Sequence, residues 1–140
     1  PNVVPGNDCT WGAADAPVRI VLVGDSIALS YANPLRLVAL NSNGQIQVHS
    51  EALPGCQFAD ELIDNPDESI KDACPGRKQH AVDYINSAKP TAVIVSNSYG
   101  EKRIGARQIT PKDWSDSVQR LLAKLTASAR SSCCPRRRPM

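Results

Sequence analysis

A chain of 140 residues is enough for one domain with a real core, and small for a complete doubly wound enzyme. Its formal net charge is +2 and three of its arginines fall in the last five residues, so the body is close to neutral and nucleic acid is not an expected partner. No apolar run reaches the length of a membrane span and no charged-then-apolar leader opens the chain; a first residue of Pro rather than Met suits a mature or excised piece of something longer.

Pro1 to Pro17 has three prolines, two glycines and little periodicity, and reads as a lead-in or linker in which Cys9-Thr10-Trp11-Gly12 is tied down. Val18 to Val23 is too short for a helix and too apolar for a half-exposed strand, which predicts a central parallel strand covered on both faces. It ends at Gly24-Asp25-Ser26, and the segment that follows is helix-like. Asn33-Pro34 has the form of an N-cap with proline at the first helical position, Asn43-Gly44 the form of a stop, and Leu35, Val38 and Leu40 would supply the buried stripe. Gln45 to Ser50 alternates as a second strand and leads into Leu53-Pro54-Gly55-Cys56. The acidic stretch from Gln57 to Gly76 reads as a surface loop with a helical turn. Lys78 to Ala88 fits an amphipathic helix buried through Ala81, Val82, Tyr84, Ile85 and Ala88, with Pro90 as its end. Thr91 to Ser96 is a third apolar strand, and Tyr99 to Ile109 a loop. Thr110-Pro111-Lys112-Asp113 opens a last helix, buried through Trp114, Val118, Leu121, Leu122 and Leu125. Strand and helix thus alternate three times, the order of a three-layer α/β/α fold with a parallel sheet over residues 18–128.

Five cysteines, Cys9, Cys56, Cys74, Cys133 and Cys134, lack the C-x-x-C spacing of zinc or thioredoxin-like sites and suit an oxidising compartment. Cys56 and Cys74 flank a polar stretch with little core of its own, where a disulfide would contribute roughly 3 kcal/mol; the alternative is a pair of buried free thiols. No His/Asp/Glu cluster has metal spacing, and neither G-x-G-x-x-G nor G-x-x-x-x-G-K-[ST] occurs, so no metal and no cofactor is expected.

Three strands deliver Ser26, Gly55 and Asn97 to one sheet edge if the crossovers have the usual hand. Ser26 would be the nucleophile at a helix N-terminus. The backbone N–H groups of Ser26 and Gly55 and the amide of Asn97 would form an oxyanion hole, with Asp25 bracing the turn. Val21-Leu22-Val23-Gly24-Asp25-Ser26, Gly55 after a strand and Asn97 after a strand resemble the first three sequence blocks of the SGNH (GDSL-type) hydrolases. Cys9-Thr10-Trp11-Gly12 before the VLVGDS strand, with a Gly-Cys loop and a partner cysteine, resembles more narrowly the extracytoplasmic SGNH domain of bacterial membrane O-acyltransferases. The third block departs from the family's Gly-x-Asn-Asp, being Ser96-Asn97-Ser98, and Ile27-Ala28 stands where those domains often have His-Ala.

The resemblance implies a flavodoxin-like fold, with acyl-ester transfer or hydrolysis on Ser26. The partners would be an acyl donor, a carbohydrate acceptor of the cell envelope and a membrane acyltransferase domain upstream, the whole lying outside the cytoplasm. Family members complete the triad with an Asp-x-x-His block. Neither His49 nor His80 has an Asp three residues before it, so both read as ordinary polar residues, and hydrolysis of short esters should be little above background. The alternative is a vestigial domain that binds a glycan or acyl group without catalysis. The tail from Arg130 fits no element of this fold. Read one base out of frame with GC-rich codons, Ser-Ser-Cys-Cys becomes an apolar run, so a frameshift is expected to have replaced a fourth strand and the Asp-x-x-His, leaving the domain truncated after its third strand–helix unit. A three-strand sheet with one apolar flank uncovered and an associating edge would follow. Cys133-Cys134 before Arg136, Arg137 and Arg138 also allows a lipid anchor, without a supporting amphipathic helix.

Overall fold

The apolar run does become the middle of a sheet. A computed structural model describes residues 9–61, 63–99 and 102–125. In it β2 (Val18–Gly24) lies parallel between β3 (Ile46–Ser50) and β4 (Ala92–Ser96). Leu22, which pairs with Ser50 on one side and Ile94 on the other, is fully buried, as a strand covered on both faces must be.

The lead-in adds something the sequence reading leaves out. Thr10–Trp11 forms β1, which pairs antiparallel with β3 through Thr10↔His49 and Trp11↔Val48, so the sheet is mixed, in the order β1-β3-β2-β4. The fold remains a three-layer α/β. Val21 and Val23 point to one side, where they meet Phe58 together with Ala81, Val82 and Ile85 of α2 (Glu68–Ala88) and Leu121 of α3 (Pro111–Leu122). The alternate residues face α1 (Ser26–Leu40) on the other side.

Two helices start earlier than expected. α1 begins at Ser26, with Asp25 as its N-cap, and runs through Pro34 instead of starting there. Pro34 costs one hydrogen bond at the Ser30 carbonyl, a loss offset because the helix is held against the sheet by Ala28 and Ala39, eleven residues or about three turns apart. That phase replaces the predicted stripe: Leu35 is half-buried, whereas Val38 and Leu40 are 48% and 54% exposed. Ile27, Tyr31 and Leu37 are exposed as well, so α1 carries more apolar surface than the described residues cover.

α2 begins ten residues before Lys78, capped by Asp67, whose side chain accepts from Ser69 N. It continues through Cys74-Pro75-Gly76, which the sequence reading assigns to a loop. Its buried face is Cys74, Lys78, Ala81, Val82 and Ile85, with Tyr84 half-buried. Lys89 in the left-handed region ends it before Pro90. The stretch expected as a plain loop from Tyr99 contains a small hairpin, β5 (Arg103–Ile104) with β6 (Arg107–Gln108), turning at Gly105. α3 opens with the expected cap: Asp113 N donates to Thr110 Oγ1 and Thr110 N donates back to Asp113 Oδ2. Ser117 joins Trp114 and Leu121 on its buried face, and Val118, Leu122 and Leu125 are half-buried. The tail from Arg130, with Cys133 and Cys134, lies outside the described residues.

Candidate functional site

The carboxyl ends of the three parallel strands converge on the turn at Gly24-Asp25-Ser26. Gly24 is in register with Ser96, so Ser26 and Asn97 leave adjacent strands side by side. Ser26 is exposed and is the first residue of α1, where helix geometry leaves its N–H without an intrahelical acceptor.

Asp25 is 1% exposed. Its Oδ1 accepts from Ile27 N at 2.9 Å, and its Oδ2 accepts from Ser98 N at 2.7 Å and Gln57 Nε2 at 3.0 Å. Burial of a carboxylate is tolerable only with such donors. The result is one side chain that ties the start of α1, the exit of β4 and the loop after β3 together.

That loop is laid along the sheet edge by its backbone. Glu51 N donates to Leu22 O, Leu53 N to Gly24 O and Cys56 N to Leu53 O. The last bond closes a turn with Pro54 second and Gly55 third, and Gly55 has φ +74°, the conformation such a turn demands of its third residue. Cys56 is disulfide-bonded to Cys74 of α2. Lys78, also on α2, donates its ammonium to Ala59 O and Glu61 O; burial lowers its pKa, against the opposing charge of Asp60. The disulfide pairing is therefore made, and Cys9 is a free thiol among the described residues.

Asn97 is 5% exposed and grips the loop at both ends of one amide: its Oδ1 accepts from Phe58 N at 2.8 Å while its Nδ2 donates to Phe58 O at 3.2 Å. The second Nδ2 proton meets Tyr99 Oη at 3.5 Å, the longer and weaker of the two contacts. A narrow cleft beneath Gly24 is lined by Glu51, Leu53, Cys56, Phe58, Arg77, Lys78 and Ala81; neither Ser26 nor Asn97 lines it.

The chain matches, over residues 2–131, the family described as the SGNH domain fused to AT3 domains. The chain belongs to the SGNH family. No curated protein and no solved structure was found to match it. Membership points to a hydrolase- or acyltransferase-type function, and the fusion in the family's description points to a membrane acyltransferase as partner domain. SGNH domains of such fusions are typically extracellular; no described helix is long and apolar enough to cross a membrane.

Both histidines of this SGNH domain are committed elsewhere than Ser26. His49 and His80 hold the two oxygens of Glu51, Nε2 to Oε1 at 2.7 Å and Nδ1 to Oε2 at 3.0 Å. The other nitrogen of His49 meets Thr10 Oγ1 at 2.6 Å and its ring stacks on Tyr84 at 3.8 Å. Reading them as ordinary surface or edge residues misses this clamp, which pins α2 and β1 to the end of β3. Burial pushes the Glu51 carboxyl up, but its hydrogen bonds to His49 and His80, and their charge, hold it below the usual glutamate value of 4.5. Glu51 thus contributes stability that is present above its unfolded pKa and lost as pH falls through the depressed folded value. Urea midpoints of the wild-type SGNH domain should fall on acidification below about pH 4.5, and Glu51→Gln should flatten that limb. An identical acid limb in the variant would remove Glu51 from the account.

Gln57 and Glu51 are the site residues the sequence reading passes over. Glu51 had a weak signal, a carboxylate placed directly after an apolar strand. Gln57 had none, since its partner is 32 positions away.

Proposed function

We propose that this SGNH domain transfers or hydrolyses acyl esters on Ser26, in the O-acylation or deacylation of a cell-envelope glycan outside the cytoplasm. The observation that carries the reading is the placement of an exposed Ser26 at the first turn of α1, directly beside Asn97 and the Gly55 loop. In this reading Ser26 Oγ attacks the acyl carbonyl, and the carbonyl oxygen takes up negative charge. The N–H groups of Ser26 and Gly55 and the second Nδ2 proton of Asn97, released from Tyr99, stabilise that charge. The tetrahedral species collapses to an acyl-serine as the donor's leaving oxygen departs with the proton given up by Ser26. A sugar hydroxyl or water then attacks the acyl carbon, its proton returning to Ser26 Oγ as the ester to serine breaks. The AT3 fusion of the family supports an acyl donor supplied by a membrane acyltransferase domain, with a carbohydrate hydroxyl as acceptor.

A base for Ser26 is not found among the described residues: no hydrogen bond joins either histidine to it, and His49 is engaged at both nitrogens. This favours a second reading in which the present chain binds an acyl or glycan group without turning it over. An experiment that needs no base separates the site from its rate. A short alkylboronic acid should form a tetrahedral adduct with Ser26, visible by boron NMR, and Ser26→Ala should abolish it while changing stability by no more than about 0.5 kcal/mol. Failure of the wild-type chain to form the adduct removes Ser26 as the reacting group. Ester hydrolysis little above background, together with adduct formation, selects the binding reading for this chain.

A further inference from the structure

We infer that Gln57 is a positioning residue for Ser26, acting through the Asp25 carboxylate; the inference rests on the reading of Ser26 as the reacting group. Asp25 immediately precedes Ser26, and its orientation fixes how the chain enters α1. The three donors it has among the described residues are uncharged. Two are backbone N–H groups, of Ile27 and Ser98, whose places are set by the helix and by the exit of β4. The third, Gln57 Nε2, is the one side-chain donor and the one that comes from the loop carrying Gly55.

Gln57 is well placed to transmit the loop's position. It is buried, and it stands between two anchors that do not depend on its side chain. On one side Cys56 is bonded to Cys74 of α2, and on the other Phe58 is held by both ends of the Asn97 amide. Consecutive residues therefore fix α2, the nucleophile's turn and Asn97. The backbone N–H of Gly55, the Asp25 carboxylate and the Asn97 amide are kept in one arrangement because the short stretch 55–58 touches all three. Removing the Gln57 amide leaves both anchors in place, so the loop stays folded. Asp25 then keeps Ile27 N on Oδ1 and Ser98 N on Oδ2 but loses the Oδ2 bond that ties it to the loop, so the turn carrying Ser26 is no longer held in step with Gly55 and Asn97.

The test uses alkylboronic acid affinity in the whole chain, with urea unfolding measured in parallel. Gln57→Met keeps the volume and removes the donor, and should weaken adduct formation about tenfold or more. Gln57→Glu sets a second carboxyl against Asp25, and like charge in contact makes the second ionisation unfavourable and moves it to higher pH. While protonated, the introduced carboxyl donates as the amide did. Affinity relative to wild type should therefore recover on acidification and fall again as pH rises, a reversible dependence that a merely structural role would not produce. Wild-type adduct formation with Gln57→Met within twofold of it overturns the inference and leaves the Ser26 reading standing. So does a Gln57→Glu ratio that is flat with pH, which also decides the matter if Gln57→Met does not fold. Absence of the adduct in wild type overturns the Ser26 reading and this inference with it.

Discussion

Gly24→Ala should destabilise the domain by more than about 4 kcal/mol and in practice leave little folded protein. Gly24 has φ +136°, which an L side chain rarely adopts, and forcing alanine into it costs about 1–3 kcal/mol alone. The added Cβ would lie 1.8 Å from Ser96 O and 2.8 Å from the Ala28 Cβ. The first contact is with backbone, so relief requires β4 to move away from β2 at the point where the two strands are in register, Gly24↔Ser96. The second would lift the first turn of α1 off the sheet and expose Ala28, which is fully buried. Both movements open the edge that carries Ser26 and Asn97. Urea unfolding followed by tryptophan fluorescence measures the loss. Gly76→Ala is the matched control: it lies inside α2 with nothing within 4 Å of an added Cβ, and should be neutral or stabilising by up to about 1 kcal/mol. A Gly24→Ala loss below about 1 kcal/mol would mean that the β2–β4 edge is far more compliant than its packing indicates.

Parts of this architecture were legible because they are written in short-range chemistry. The run Val18 to Val23 suits a strand covered on both faces, and Gly24, Pro54-Gly55 and the Thr110-Pro111 cap state their own backbone conformations. Those signals carried the expectation that Ser26, Gly55 and Asn97 follow strand ends, and in the structure Ser26 and Asn97 follow the paired ends of β2 and β4. The errors have a common cause. Asn33-Pro34 and Pro75-Gly76 are strong local breakers, yet both lie inside helices that tertiary contacts hold, Ala28 and Ala39 against the sheet in one case, the disulfide and the Asp67 cap in the other. Thr10–Trp11 is too short to signal a strand and forms one because β3 offers an edge. The bonds that make the site rigid, Gln57 to Asp25 and Asn97 to Phe58, span 32 and 39 positions, and no periodicity reports contacts of that kind.

Reduction of Cys56–Cys74 should lower the unfolding free energy by about 3 kcal/mol, the chain-entropy value for a loop of this length; 18 positions separate the two cysteines. Both are buried, at 4% and 5% exposure, so the bond should resist mild reductant in the folded state and yield once urea opens the loop. The loop it closes has few apolar anchors of its own. Phe58, Ala59 and Ile63 enter the core, while Lys78 serves the Ala59 and Glu61 carbonyls. The disulfide acts by restricting the unfolded chain, whereas these contacts act in the folded one. The comparison is oxidised protein against protein reduced with excess dithiol, and against the Cys56→Ser/Cys74→Ser double variant, by urea midpoint. Alkylation of the folded, oxidised chain should modify Cys9 and spare Cys56 and Cys74, and peptide mapping without reductant should recover the latter two as one linked pair. Amide exchange at Phe58 and Ala59 should rise on reduction, because the stretch that holds Asp25 and Asn97 would be tied to α2 through the Lys78 ammonium and the packing of Phe58, without its covalent link. Coincident midpoints before and after reduction would show instead that Lys78 and the Asn97–Phe58 pair hold the loop by themselves, and that the disulfide constrains an already ordered turn.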